Sequence, residues 1–246
     1  MPEALARLLA QARRGGAKVP NNAGEGLTRE GAFEVQERLA ASFGPVGGFK
    51  VACPPDAPIV IAPIYSSDIH DSPATLSIPA QEAVGVEMEY AFRLIDPLPD
   101  TTAPDFDTRL RSAVELLPVI ELVHSRITDP VAADPLLKMA DNQINGAVVL
   151  GHPLRDWRAQ DVTCAKALLQ AGSNLLLDGD AKVPGGDAFE TLRKFALAIG
   201  THCGGWQPGQ VVITGSLNGL PWLRPGLSIA GQIEGLGVLK VQLNAA

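Results

Sequence analysis

Three glutamates in this chain could act together chemically. Glu87 and Glu89 lie in Gly85-Val86-Glu87-Met88-Glu89-Tyr90-Ala91-Phe92, and Glu121 lies in Pro118-Val119-Ile120-Glu121-Leu122-Val123. Residues two apart on a strand share a face, so Glu87 and Glu89 project together. Acidic groups inside apolar runs are costly to bury unless a cation or a proton neutralises them. A third carboxylate from a neighbouring strand would complete an all-oxygen cup. Such a cup suits Mg2+ or Mn2+ better than zinc. The competing reading is an edge strand that shows both glutamates to water and turns Met88 inward. Glu121 weighs against it, because Leu116, Leu117, Val119, Ile120, Leu122 and Val123 surround it in sequence.

The elements that must hold these residues are legible in part. Leu5, Leu8, Leu9 and Ala12 recur at helical spacing over residues 3–14, before Arg13-Arg14-Gly15-Gly16. Thr28 is placed to cap a second helix, with Glu30 in its first turn and Phe33, Val35, Leu39 and Ala40 apolar. From Gly47 the texture changes to short apolar runs broken by glycine and proline, which reads as strands. Strands are expected at 49–51, 59–61, 83–94, 148–150, 211–214, 227–233 and 237–243. Helices are expected over Asp107–Leu116, which would carry the chain between the two glutamate strands, and over Ala188–Gly200. The domain reading is a helical segment, 1–46, packed on a β-rich core, 47–246, with no repeat and no second boundary.

Composition excludes several functions. The 246 residues carry a net charge of −7, with 5% aromatic residues and no basic run, which argues against nucleic acid and anionic membrane as partners. A hydrophobic share of 46% supports a sizeable core. Cys53, Cys164 and Cys203 are too few and scattered for a disulfide framework or a sulfur-ligated metal. No signal peptide and no membrane-length apolar segment is read, so a soluble cytoplasmic protein is expected.

Several segments occur together in a familiar order: Gly48-Phe49-Lys50-Val51, the Glu87/Glu89 run, the run from Leu117 to Ile127, Met139-Ala140-Asp141-Asn142, Gln210 to Ser216, and Ile233-Glu234-Gly235-Leu236-Gly237. In this the chain resembles the fumarylacetoacetate hydrolase superfamily, in its branch of 2-oxopent-4-enoate hydratases and 4-oxalocrotonate decarboxylases. The resemblance implies an α+β, mainly β fold, a twisted mixed or antiparallel β-roll with the helical preface, assembled as a homo-oligomer of at least two chains. It implies Mg2+ or Mn2+ on Glu87, Glu89 and Glu121, and a small 2-oxo or 2-hydroxydienoic acid as substrate. The implied reaction is hydration of a 2-hydroxy-2,4-dienoate to a 4-hydroxy-2-oxo acid in aromatic-compound catabolism. The alternatives are decarboxylation of a 2-oxo-3-enedioate, hydrolysis or tautomerisation of a related dicarbonyl, and an inactive paralogue that only binds 2-oxo acids.

Lys50 matches the family lysine beside the substrate. Thr214, Gly215 and Ser216 match a turn where small residues let backbone and hydroxyls approach a ligand. Asp141 and Asn142 match a supporting loop. His124 is a candidate general acid/base in a position usually acidic or small in the family, and Arg126 is a candidate for bidentate pairing with a substrate carboxylate, against a structural ion pair. The chain departs from the family at Cys53–Tyr65, where Asp56 is the candidate replacement for a lid aspartate, and at Val183–Ala188. Both places bear on substrate length and proton traffic.

Overall fold

A computed structural model describes all 246 residues. Five α-helices are present: α1 (Pro2–Arg13), α2 (Arg29–Phe43), α3 (Phe106–Ser112), α4 (Pro135–Ala140) and α5 (Ala188–Ala198). The strands are β1 (Val46–Ala52), β2 (Val60–Tyr65), β3 (Ile69–Asp71), β4 (Ala74–Ile78), β5 (Val84–Leu94), β6 (Val114–Val123), β7 (Asn145–Leu150), β8 (Cys164–Ala171), β9 (Asn174–Lys182), β10 (Val211–Ser216), β11 (Trp222–Leu223), β12 (Leu227–Ile233) and β13 (Gly237–Ala245).

The preface forms for the reasons its sequence suggests. In α1, Leu5 and Leu9 are buried with Ala6 and Ala10, while Leu8 faces solvent. The Thr28 hydroxyl accepts a hydrogen bond from Gly31 N at 3.1 Å, which caps α2. Gln36 of α2 is buried and donates to Ile61 O at 3.1 Å and to Met139 O at 2.6 Å. Those two bonds tie the preface to β2 and α4, next to the loop that leads into β7.

The main sheet runs β2-β1-β10-β5-β6-β7-β3, with β11 beside β5, and curls into a half-barrel. The second sheet runs β4-β13-β12-β8-β9. Pairing is antiparallel except for β1 with β10, β3 with β7 and β4 with β13. Strand alternation sends Met88, Tyr90, Phe92, Ile120 and Leu122 outward against Leu169, Ile229, Leu239 and Val241 of the second sheet. The inner face of the curl holds a smaller plug of Ile64, Ala91, Leu117, Val119, Val148, Leu150, Val211 and Ile213. Both faces of β5 and β6 are therefore buried, which is why these strands read as nearly continuous apolar runs. Along the inner face, Ala91 leads to Glu89 and Glu87, and Leu117 and Val119 lead to Glu121. The plug fills one end of the curl and the acids sit at the other.

Two expectations need correction. The helix expected through Leu116 ends at Ser112, because residues 114–123 pair with β5 along its whole length, from Leu94↔Val114 to Gly85↔Val123. A ten-residue ladder outweighs a marginal helical period. The β8–β9 hairpin was not anticipated. Its inward residues are Ala165, Ala167, Leu169 and Ala171, and alanine gives a weak strand signal. No helix is long and apolar enough to cross a membrane.

Candidate metal centre

Register brings the three glutamates together. Glu87 lies directly opposite Glu121 on adjacent antiparallel strands, and Glu89 follows two residues along the same face. Like charges facing each other across a ladder repel, and here they are also buried: Glu87 is 7% exposed, and Glu89 and Glu121 are fully enclosed. One ligand atom from each residue lies within 4.8 Å of the others. The opposing charge comes from Lys50 on β1, whose Nζ is 2.9 Å from Glu121 Oε1, 2.8 Å from Oε2 and 3.6 Å from Glu87 Oε2. Only the contact to Glu121 Oε1 has hydrogen-bond alignment; the one to Oε2 is ionic.

Three carboxylates thus face one ammonium in a buried site, a formal charge of −2 when all three are ionised. Glu89 Oε1 has no partner at all. The pKa shifts record the strain. Burial, opposed by Lys50 and reinforced by Glu121, pushes the Glu87 carboxyl up to about 7. Burial, then Glu121 and Glu87, raises Glu89 well above the carboxylate range. Burial would lower Lys50, but Glu121, Glu87 and Glu89 outweigh it and hold the ammonium above its ordinary value.

Neighbouring groups aim the carboxylates. Gly215 N donates to Glu89 Oε2 at 2.6 Å, and Asn145 Nδ2 donates to Glu121 Oε1 at 2.8 Å. Gly215 adopts φ 110°, and a Cβ there would stand 3.0 Å from Pro184 Cβ, so a side chain would push this amide off Glu89. The Ser216 hydroxyl donates to Gly219 O at 2.6 Å and lies near enough to Glu87 to favour its ionised form. Thr214 is committed elsewhere, donating to Tyr90 O at 3.0 Å. The β10 register shifts between Ile213 and Ser216. Across that gap Asn218 acts as a surrogate strand, accepting from Met88 N at 2.8 Å and donating to Val86 O at 3.0 Å.

Beside the cup is a cavity of about 520 Å³, lined by Lys50, Glu87, Val123, Pro130, Val131, Lys138, Gln143, Ile144, Leu220 and Trp222. Gly85 lets this wall close, since a Cβ there would come within 2.3 Å of Leu220 Cδ1.

Three candidates lie apart from this centre. His124 opens into a different cavity, of about 460 Å³, with Arg13, Lys18, Asp68 and Glu82. Its Nε2 is 2.7 Å from Glu82 Oε2, and burial, outweighing Glu82, lowers its pKa. Arg126 is buried in an ion pair, Nε to Asp141 Oδ1 at 2.6 Å, and three of its other N–H groups go to the carbonyls of Asp141 (2.8 Å), Asn145 (2.6 Å) and His124. Four of its five N–H groups are thereby taken, which gives Arg126 the structural ion pair that was the alternative to bidentate pairing with a substrate. Asp56 is exposed in the β1–β2 loop, with no hydrogen bond or ion pair, and does not line the cavity.

Sequence reasoning missed Asn145, Asn218, Lys138 and Gln143. Asn145 had one usable signal, a polar residue opening an apolar strand just after Asp141-Asn142. The others are brought in by loops and by a short helix.

No family model and no curated protein matches the chain. Among solved structures it is similar to 4-oxalocrotonate decarboxylase from Pseudomonas putida, complexed with magnesium and adipate, at a TM-score of 0.82 and 15% identity over 98% of this chain and 97% of that one. The chain has the fumarylacetoacetate hydrolase fold. Fumarylpyruvate hydrolase from Pseudomonas aeruginosa, in complex with Mn2+ and pyruvate, aligns at a TM-score of 0.60 and 15% identity, over 83% of this chain and 91% of that one. A 2-hydroxyhepta-2,4-diene-1,7-dioate isomerase from Mycobacterium marinum aligns at 0.60 and 15%, over 82% and 76%. The last two likenesses cover 83% and 82% of this chain, whereas the decarboxylase follows 98% of it.

Proposed function

We propose that the protein is a divalent-metal-dependent lyase that adds water to a 2-hydroxy-2,4-dienoate, taken as its 2-oxo-4-enoate tautomer, to give a 4-hydroxy-2-oxo acid. The observation that carries this reading is the cup of Glu87, Glu89 and Glu121, with its formal charge of −2 and its orphaned Glu89 oxygen, on the edge of a 520 Å³ cavity. The donor set is all oxygen and fits Mg2+ or Mn2+. Held by those three carboxylates, such an ion supplies a Lewis acid for a 2-oxo carbonyl.

The chain's own residues do the rest. Lys50 stays protonated between carboxylates and offers N–H donors where negative charge develops on a substrate oxygen. Gly215 and Asn145 fix the carboxylates so that the cup need not reorganise. Val123, Ile144, Leu220 and Trp222 give the alkene segment an apolar wall. A cytoplasmic homo-oligomer goes with this reading. Decarboxylation of a 2-oxo-3-enedioate is the second reading, favoured by the end-to-end likeness to the decarboxylase.

Loss of the ultraviolet absorbance of 2-hydroxypenta-2,4-dienoate tests the reaction. It should require Mg2+ or Mn2+ and should slow by about 10²- to 10⁴-fold in Lys50→Met. Release of carbon dioxide from an oxalocrotonate-type acid, with no hydration, would replace the first reading by the second. Binding of pyruvate without turnover of either substrate would leave only a binding protein.

Acidity of the cup gives a second test. The folded-state pKa of Glu87, about 7, lies above its ordinary value of 4.5. Its contribution to stability is therefore complete below the ordinary value and lost as pH rises through the folded one. A cation must displace that proton, so metal binding strengthens over the same interval. The rise in Tm on adding Mg2+ should be small near pH 5.5 and several degrees larger near pH 8. An equal rise at both would reject the assignment.

A further inference from the structure

The cavity that His124 and Arg126 line takes no part in the chemistry above. Neighbours in sequence divide here, since Val123 lines the space beside the glutamates and His124 lines the other, of about 460 Å³. Its walls come from the end of α1 and the loop after it, the β2–β3 connection, the β4–β5 turn, the segment after β6 and the start of β7. Of the lining side chains only Ala12 and Pro79 are apolar. Gly146 lets the wall close, because a Cβ there would stand 2.7 Å from His124 Cβ.

Arg13, Lys18 and Arg126 bring positive charge to this space, and Asp68 and Glu82 bring negative charge. Their pairing leaves donors over. The fifth N–H of Arg126, on Nη2, has no partner in the protein, although the residue is only 5% exposed. Arg13 meets Asp68 through Nη2 alone, and its guanidinium lies over the rings of Tyr65, at 4.7 Å, and Phe43, at 5.5 Å. Stacking uses the faces of a guanidinium and leaves its N–H edge for another acceptor. Lys18 Nζ is 2.9 Å from Glu82 Oε2, an oxygen that also meets His124 Nε2 at 2.7 Å. An ammonium has three donors, and this contact takes one of them. The carbonyls at the end of α1, which would repel an anion, are capped: Gly15 N donates to Ala12 O at 3.1 Å and Gly16 N to Gln11 O at 3.0 Å.

We propose that this cavity is a second ligand site, which takes a phosphate group between Arg13, Lys18 and Arg126. The three cations come from α1, from the loop after it and from the segment after β6, so their free donors converge from different directions. A flat carboxylate is matched by a single guanidinium, whereas the three terminal oxygens of a phosphate group accept from several sides at once. The cavity is larger than the anion alone and falls within the roughly 300–1,000 Å³ of small-molecule sites. Its polar lining suits a hydroxylated body, so the ligand is inorganic phosphate or a polar phosphate monoester. Glu82 is the internal competitor, because its carboxylate holds Lys18 and His124, the groups nearest to it. The site stands apart from the glutamates and does not depend on which reaction they support.

Inorganic phosphate and glycerol 3-phosphate are the probes, titrated calorimetrically into the full-length protein with Mg2+ and without metal. Wild type should bind one equivalent with a Kd of about 0.1–1 mM in both conditions, as a few charge-assisted hydrogen bonds allow. Lys18→Met should weaken binding about tenfold, and Lys18→Arg should retain most of it. Glu82→Gln should instead tighten it about threefold, since it removes a negative charge from the lining and releases Lys18. Opposite effects from the two members of one ion pair separate a ligand site from a structural pair, which either change would simply break. The rise in Tm on adding Mg2+ should match wild type in all three variants and checks their folding. Tighter binding of glycerol 3-phosphate points to a monoester and tighter binding of phosphate to the free ion, and either result upholds the site. Binding that requires Mg2+, binding that neither Lys18→Met nor Glu82→Gln alters, or no binding of either probe to wild type would overturn it.

Discussion

In the Glu89→Gln variant, Mg2+ and Mn2+ will no longer raise the Tm, and metal affinity will fall by more than about 100-fold, since changes merely adjacent to a metal ligand already cost 10- to 100-fold. The variant will nevertheless fold. Glu89 is fully buried, and one of its oxygens has no partner. Glutamine keeps an oxygen for the Gly215 N–H that now meets Glu89 Oε2 and resembles the neutral carboxyl that burial, Glu121 and Glu87 favour there. Without metal the variant should be at least as stable as wild type, because an amide stands in for a carboxyl that its surroundings already favour in the neutral form. Thermal unfolding of both proteins, with and without metal, checks the pair of effects. An unchanged metal shift would remove Glu89 from the ligand set, and a metal-free variant that melts well below wild type would show that its charge is structural. Glu121→Gln is a less clean test, since Glu121 also holds Lys50 and Asn145.

Asp141→Asn will have the opposite profile, a large loss of stability with metal binding retained. Arg126 is 5% exposed and Asp141 is 2% exposed. Their contacts comprise Nε to Oδ1 at 2.6 Å and Arg126 N to Oδ2 at 3.1 Å. Removing one member of a buried pair leaves the other charge uncompensated, at a cost of about 3–5 kcal/mol. For a chain of this length that corresponds to a Tm lower by roughly 10 °C. Denaturant titration should show the midpoint falling at constant slope. Metal affinity should decline less than in Glu89→Gln, through Asn145, whose carbonyl accepts from Arg126 and whose side chain orients Glu121. A variant as stable as wild type that had lost affinity for 2-oxo acids would restore Arg126 as a substrate ligand.

The two variants mark where the sequence could be read and where it could not. Strand alternation is local, so Glu87 and Glu89 announced a shared face. Glu121 was conspicuous because a carboxylate among six apolar neighbours needs a reason. The Thr28 cap, the start of α2 and the extent of α5 were legible too, since capping and helical period are encoded within a few residues. His124 and Arg126 follow the Glu121 strand closely, yet after Val123 the chain leaves the ladder and turns them toward another cavity, which no local pattern shows. Lys138 gave no signal. Its place on the cavity wall comes from how the short α4 packs beside the sheet, which no local pattern encodes. The β8–β9 hairpin escaped because its inward face is mostly alanine.

The carboxylates stand on β5 and β6, central strands covered on both faces and paired over ten residues. Much of the rest of the cavity wall stands on connections: Pro130 and Val131 before α4, the short α4 with Lys138, and the turn at 142–144. Mutational change can therefore accumulate in one set without disturbing the other. A lineage with this architecture could drift from one reaction to another by exchanging loops while its metal cup stayed fixed, and sequence similarity would fade first in the segments that most directly define what each descendant does.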